Sequence, residues 1–334
     1  MSREIGSFIE LQFPKGLEYY KGDKSIARLN TGRAAIWHAF RVLGCESIWI
    51  PYYQCDTVRA FLGRKGVEIK YYHIDSHFNP VNLKPEKNEA VLLVNYYGVM
   101  SSNRMRRLAE PFSSVIIDNS QAFFSRPLDG CMNVYSCRKF IGVPDGAYVI
   151  GNNAERFVDE YEQCYSSDTS LFMLQRIEYG CEGKAYQNRQ INEHRIDSED
   201  CMKMSNLTRT ILDGTDYDFI RKKRQENFEA ARRLFDNLNC LDVAEYCDAE
   251  TVPMVYPLMI EDDGLLDRLQ KAKHFQGHWW SYLCDELTDL TTEHWISRYL
   301  IPITIDQRYS EKELKFIKGI IDESFVTGSD GIRS

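Results

Sequence analysis

Between Val115 and Ile150 the chain reads VIIDNSQAFFSRPLDGCMNVYSCRKFIGVPDGAYVI, and two of its residues have the types and spacing to act together. Asp118 closes the apolar run 115–117. Lys139 follows a second run that leads through Tyr135 and Ser136. An acid at the end of one strand and a lysine just past the next is the pair that an enzyme holding pyridoxal phosphate requires. The amine forms a Schiff base, and the carboxylate keeps the pyridine nitrogen protonated so that the ring can accept electrons. Each residue also has a plainer role, since lysines mostly sit on surfaces and an aspartate after a buried strand serves as a cap or turn residue. Phe140 beside Lys139, Tyr135 before it and the Gly-Val-Pro-Asp-Gly turn at 142–146 favour a partly desolvated amine. Asp118 must then lie at the carboxyl end of the sheet, where ligands of open α/β folds bind. Gln121, three residues on, could reach the phenolic oxygen of the cofactor.

A phosphate needs its own holder. Thr31-Gly32-Arg33-Ala34 sits where a loop turns into a helix, and backbone N–H groups at a helix start attract anions. Gly32 allows close approach, and Ala34 and Ala35 keep the turn uncrowded. The same four residues also read as a simple N-cap. Ser136, three residues before Lys139, can add a hydroxyl if both face one cleft.

The elements that must position these residues follow from the pattern. Thr31 caps a helix whose apolar face is Ala34, Ala35, Trp37, His38, Phe40 and Val42, and Gly44 ends it. Strands are expected at 47–50, 67–74, 90–95, 115–117 and 147–150, and helices at 56–62 and 105–109. The run at 90–95 is apolar throughout, the mark of a strand buried on both faces. Strands alternating with helices imply βαβ units and a mainly parallel sheet. Further helices are expected at 156–165, 171–179, 205–212 and 217–238. The stretch 180–203 reads as a polar, irregular loop. Short strands and helices after Cys240 fit a smaller α/β unit, and residues 327–334 read as frayed.

Composition excludes several classes. A chain of 334 residues with 43% hydrophobic content supports a large core and more than one average domain. A net charge of −8 opposes general nucleic-acid binding, and the basic run at 221–224 reads as the solvated face of a helix. Ten cysteines without CxxC or Cys/His spacing suggest reduced thiols and a cytoplasmic protein. The N-terminus lacks the features of a signal peptide, and no apolar run approaches the roughly 20 residues of a membrane span. No Ser/His/Asp set, metal-ligand cluster or Walker motif is present, so no metal is expected. His38 and His73 lie inside expected elements and read as core or rim residues. His278 with Trp279-Trp280 could line a pocket or pack in the core of the smaller unit. Arg308, in Ile-Asp-Gln-Arg-Tyr at 305–309, could receive a substrate carboxylate, but a structural salt bridge is the expected role.

Taken in order, the segments TGRAAIWHAF, IWIPYYQCDTVRAFLGRKGVEIKYYHID, VLLVNYYG, VIIDNSQAFF, YSCRKFIGVPDGAYVIG and MKMSNLTRTIL resemble those of the DegT/DnrJ/EryC1/StrS aminotransferases. This is the sugar-aminotransferase branch of the fold-type-I pyridoxal-phosphate enzymes, and the resemblance covers roughly residues 25–320. It implies an α/β fold with a large cofactor-binding domain at 1–235, a small C-terminal domain at 236–325 and a tail. It implies Lys139 as Schiff-base lysine and proton carrier, Asp118 as pyridinium partner and Gln121 near the ring oxygen. Gly32, Arg33, Ala34 and Ser136 would hold the phosphate. Three departures stand out. Cys55 occupies the place of the family's stacking aromatic, leaving Tyr52 or Tyr53 to substitute. Cys201 replaces a partner-subunit asparagine, and Pro-Asp-Gly-Ala replaces Gly-Glu-Gly-Gly. The implied reaction moves an amino group from a donor such as glutamate to a nucleotide-linked keto sugar. A homodimer with shared active sites is implied too, with 180–203 as the crossing segment. A dehydratase or lyase of the same fold, or a non-catalytic binding homologue, would use the same residues.

Overall fold

The computed structural model describes residues 5–22 and 25–330. The first half builds one sheet. Its strands are β1 (Ile26–Leu29), β2 (Ser47–Pro51), β3 (Glu68–Ile74), β4 (Pro80–Val81), β5 (Glu89–Val94), β6 (Val115–Asp118), β7 (Met132–Ser136) and β8 (Ala147–Ile150). They lie in the order β1-β8-β7-β6-β5-β2-β3-β4. The central pairings from β3 through β2, β5 and β6 to β7 are all parallel, while β8, β1 and β4 pair antiparallel at the two sides.

Alternation along the strands explains why both faces need cover. Ala90, Leu92, Ile116 and Val134 pack into one core, together with Ala34, Ala35, Ala39 and Phe40. Val91, Leu93, Val115 and Ile117 face the other core, shared with C-terminal residues such as Tyr256, Ile301 and Ile303. Every residue of β5, β6 and β7 is buried, as a central parallel strand requires. The first cover comes from α1 (Gly32–Leu43) and α2 (Asp56–Arg64). Thr31 caps α1 by accepting the Ala34 amide at 3.2 Å, and Gly44 stops it in the left-handed region at φ 70°. A shorter helix, α3 (Ser102–Ala109), links β5 to β6.

The second half is mostly helical: α4 (Leu171–Tyr179), α5 (Lys184–Ser198), α6 (Asn206–Asp213) and α7 (Tyr217–Phe235). Then come β9 (Val255–Met259), α8 (Leu265–Lys271), α9 (Leu283–Glu286), α10 (Thr292–Tyr299), β10 (Leu300–Thr304) and α11 (Glu311–Asp330). β9 and β10 pair antiparallel into a separate ribbon, and α7 packs on β9 and α11.

Three expectations need correction. The stretch 156–165 is not an α-helix: Phe157 is left-handed at φ 70°, a single 3₁₀ turn follows at Val158–Glu160, and Tyr161 turns inward to His38. The stretch 180–203 is not a loop, because Lys184–Ser198 is helical. It buries only Ala185, Asn192 and Ile196, so it carries no apolar stripe for periodicity to detect. Pairing with α4 and the Arg195–Glu199 ion pair at 2.5 Å support it instead. The basic run at 221–224 is not wholly solvated either, since Arg224 is buried. Of the expected frayed tail, 327–330 continue α11 and 331–334 lie outside the described residues.

Candidate active site

The parallel strands β2, β5, β6 and β7 are neighbours, so their carboxyl ends deliver four short segments to one edge. After β2 come Tyr52, Tyr53 and Gln54; after β5, Tyr96 and Tyr97; at the end of β6, Asp118 to Gln121; at the end of β7, Ser136 to Lys139. The start of α1 completes this edge.

Asp118 is buried and held at both oxygens. Oδ1 accepts the Ser120 amide at 2.9 Å, and Oδ2 accepts Gln54 Nε2 at 3.1 Å. Each oxygen keeps acceptor capacity for a further donor. The start of α1 faces two serines. A Cβ built on Gly32 would lie 3.1 Å from Ser120 Oγ and 3.8 Å from Ser136 Cβ, so glycine keeps this space open. The amides of Gly32 and Arg33 open the helix, where N–H groups have no intrahelical acceptor. Two backbone donors and the Ser120 hydroxyl, with Ser136 beside them, surround a vacated side-chain position, a cup of the kind that suits an oxyanion.

Lys139 ends a 3₁₀ turn, Cys137–Lys139, and is exposed; the partial desolvation expected of it is absent in the single chain. Its neighbours are tightly held. Phe140 is buried, its amide donates to the Cys137 carbonyl at 3.1 Å, and its carbonyl accepts Gln307 Nε2 at 2.9 Å. Arg138 pairs with Glu193 of α5, and Met173 of α4 approaches the Gly142 position to 3.9 Å. The α4–α5 hairpin therefore borders the lysine turn.

Other expected site residues have different partners. The Arg33 side chain donates to the Ile196 carbonyl and pairs with Asp197 at 3.0 Å, leaving only its backbone at the cup. The Ala34 amide is taken by Thr31, and its side chain is in the core. Gln121 is buried and accepts the Tyr97 amide through Oε1 at 2.5 Å. Tyr53 is fully buried: its hydroxyl pairs with that of Tyr97, and Trp280 packs edge-on at 4.4 Å. Burial raises its phenol pKa. Tyr52 points to the opposite side, stacked on Tyr71 and His73 at 5.0 and 4.5 Å. Consecutive residues leaving a strand face opposite ways, and the inward place went to Tyr53. Cys55 precedes α2 with Sγ 3.1 Å from Thr57 Oγ1. Cys201 is buried against α1, its Sγ 3.9 Å from the Ala34 carbonyl, where burial pushes the thiol up to about 12. It is thus occupied within its own chain.

Sequence reasoning missed Gln54 and Ser120. Ser120 carried a signal, since a hydroxyl two residues past a strand-end acid sits on the same edge. Gln54 carried none, because only the adjacency of β2 and β5 next to β6 brings it to Asp118. The histidines behave as core and rim residues: His38 contacts Tyr161 Oη and the Ala154 carbonyl, and His73 contacts Glu293. Arg308 is held by both oxygens of Asp306, at 2.8 and 2.7 Å, in the structural salt bridge expected of it.

No protein-family model and no curated protein matches the sequence. Solved structures do resemble it. A sugar aminotransferase from Micromonospora echinospora is 15% identical with a TM-score of 0.63, the match covering 90% of this chain and 88% of that one. A DegT DnrJ EryC1 StrS aminotransferase from Brucella abortus is 13% identical with a TM-score of 0.60, over 91% and 87% of the two chains. The E. coli GDP-4-keto-6-deoxy-D-mannose-3-dehydratase is 12% identical with a TM-score of 0.61, over 90% and 88%. At these identities the likeness is one of fold, and it extends over nearly the whole of each chain. The α/β architecture expected from the sequence is the one they share.

Proposed function

We propose that this chain, which has the fold of the sugar aminotransferases and of a sugar dehydratase, is a pyridoxal-phosphate-dependent enzyme acting on a sugar. We propose further that it transfers an amino group from a donor such as glutamate to a nucleotide-linked keto sugar. One observation carries the reading. The oxyanion cup at Gly32, Ser120 and Ser136, the fixed carboxylate of Asp118 and the amine of Lys139 all belong to one sheet edge. These groups are of the kinds the cofactor needs at its phosphate, its ring nitrogen and its aldehyde, which supports the reading. The E. coli dehydratase of the same fold is described with hydrated PLP.

When bound, pyridoxal phosphate supplies a ring that withdraws electrons from the bond being broken at the amino donor. The amides of Gly32 and Arg33 and the hydroxyls of Ser120 and Ser136 hold the phosphate. Asp118, kept in place by the Ser120 amide and Gln54, receives the ring N–H and so keeps it protonated. Lys139 would hold the aldehyde end of the cofactor through Nζ, and as a free amine it would carry a proton to and from the α-carbon of the donor.

The enzyme is proposed to work as a homodimer in the cytoplasm. Support for the dimer comes from α4, which has no buried residue despite reading LFMLQRIEY, and which adjoins the exposed lysine turn. Support for the compartment comes from ten cysteines that are all free. A second reading, dehydration of the sugar, is favoured by the likeness to the E. coli enzyme. Glutamate separates the two. Wild-type protein given pyridoxal phosphate should gain a visible absorbance that borohydride removes, and Lys139→Ala should not. Glutamate should then convert that band to the amine form of the cofactor. A wild-type protein that never shows the band ends the proposal; a band indifferent to amino donors leaves only the dehydratase reading.

A further inference from the structure

The sequence singled out Ile-Asp-Gln-Arg-Tyr at 305–309, and the proposed chemistry does not use it. Its middle residue, Gln307, reaches from the C-terminal half into the turn that carries Lys139. Gln307 Nε2 donates to the Phe140 carbonyl at 2.9 Å, and Gln307 Oε1 accepts Arg224 Nε at 3.1 Å. The Arg224 guanidinium also lies over the Phe140 ring, 4.4 Å from its centroid, and donates to the Pro253 and Met254 carbonyls at 3.3 and 2.9 Å. Arg224 is 2% exposed and pairs with no carboxylate among the described residues. Asp306 acts on it only through space, being itself bound to Arg308. A buried, unpaired cation is costly, and burial pushes this one down to about 10. Asn227, three residues further along α7, fixes the other end of the device by donating to the carbonyls of Ile305, Asp306 and Tyr309 at 3.0–3.2 Å.

We propose that Gln307 and Arg224 are positioning residues for Lys139: they clamp Phe140 by its carbonyl and its ring, and so fix the turn from which the amine projects. The clamp connects α7 and the 305–309 turn to the reactive lysine without touching substrate. It rests on the reading of Lys139 as the reactive amine. A buried arginine kept for packing alone would be indifferent to which atom of residue 307 meets Phe140; a clamp is not.

Gln307→Glu separates the two. Glutamate keeps an acceptor for Arg224 and adds charge to it, but above neutral pH it has no proton to donate to Phe140. Gln307→Ala removes both contacts and leaves buried Arg224 Nε without its acceptor, so it should melt somewhat lower, whereas Gln307→Glu should melt close to wild type. Two readouts apply to the full-length chain. The first is the rate at which cyanoborohydride traps pyridoxal phosphate on the Lys139 peptide, followed by mass. The second is amide hydrogen exchange over residues 138–141 in cofactor-free protein. Both variants should trap about tenfold more slowly and exchange about tenfold faster, the scale of one lost hydrogen bond. Wild-type behaviour of Gln307→Glu in both readouts overturns the clamp, even if Gln307→Ala is impaired. A wild-type protein that traps nothing on Lys139 overturns the functional reading instead, and the exchange measurement still decides whether Gln307 holds the turn.

Discussion

At the scale of single residues, Asp118 is the group whose geometry speaks most directly to chemistry. It is buried, yet its two hydrogen bonds come from a backbone amide and a glutamine, both neutral. Among the described residues no cation pairs with it, so both oxygens can still accept from a ligand nitrogen. Asp118→Asn keeps the shape and one acceptor while deleting the charge. We expect the reaction with glutamate to slow by about 10²–10³-fold, the scale seen when a transition-state electrostatic partner is removed, with little change in melting. Single-turnover absorbance with glutamate measures it, and a loss smaller than tenfold would remove Asp118 from the proposed role. Tyr53 shows the opposite outcome. Its type suited a stacking ring, but its surface is consumed by Tyr97 and Trp280.

At the scale of elements, the α4–α5 hairpin exposes apolar side chains that contacts within the chain do not explain. Leu171, Leu174, Ile177 and Tyr179 are exposed on α4, and Tyr186 and Ile191 on α5. Apolar helix surface of this kind, next to the Lys139 turn, is what the proposed dimer would cover. A charge at its centre should be decisive, because buried interface anchors contribute most of the binding energy. Ile177→Glu is expected to weaken self-association by at least about 30-fold, the equivalent of one strong anchor. Sedimentation of both proteins over a dilution series reads this out. A wild-type chain that sediments as a monomer at every concentration would refute the homodimer.

At the scale of the whole molecule, acid sensitivity should come first from a histidine remote from the chemistry. Both ring nitrogens of His274 are buried without a hydrogen-bond partner among the described residues, and burial pushes its pKa down to about 4. The unfolded chain binds a proton on this ring near pH 6.5, whereas the folded chain refuses it until about pH 4. Stability is therefore unaffected above that window and falls as pH drops through it. The loss between pH 7 and 5 should be roughly 2 kcal/mol. Urea unfolding of wild type and His274→Phe at both pH values isolates the contribution, since phenylalanine has no proton to gain. Equal pH dependence in the two proteins would show that His274 is not the cause.

Much of this was legible in residue order alone. Thr31 and Gly44 announced the two ends of α1, and unbroken apolar runs announced β5 and β6, because caps and buried strands are set by local chemistry. Asp118 and Lys139 stood out for the same reason, each following a strand signal at short range. Tertiary structure decided the rest. Gln54 reached Asp118 only because sheet order set β2 one strand away from β6, and Tyr53 has its whole surface taken by neighbours in space. Arg224, one of four consecutive basic residues, was buried through contacts with residues 29, 30, 83 and 84 positions away in sequence. Residue type and local spacing specify what a side chain can do; which partner it meets depends on chain segments that only folding brings together.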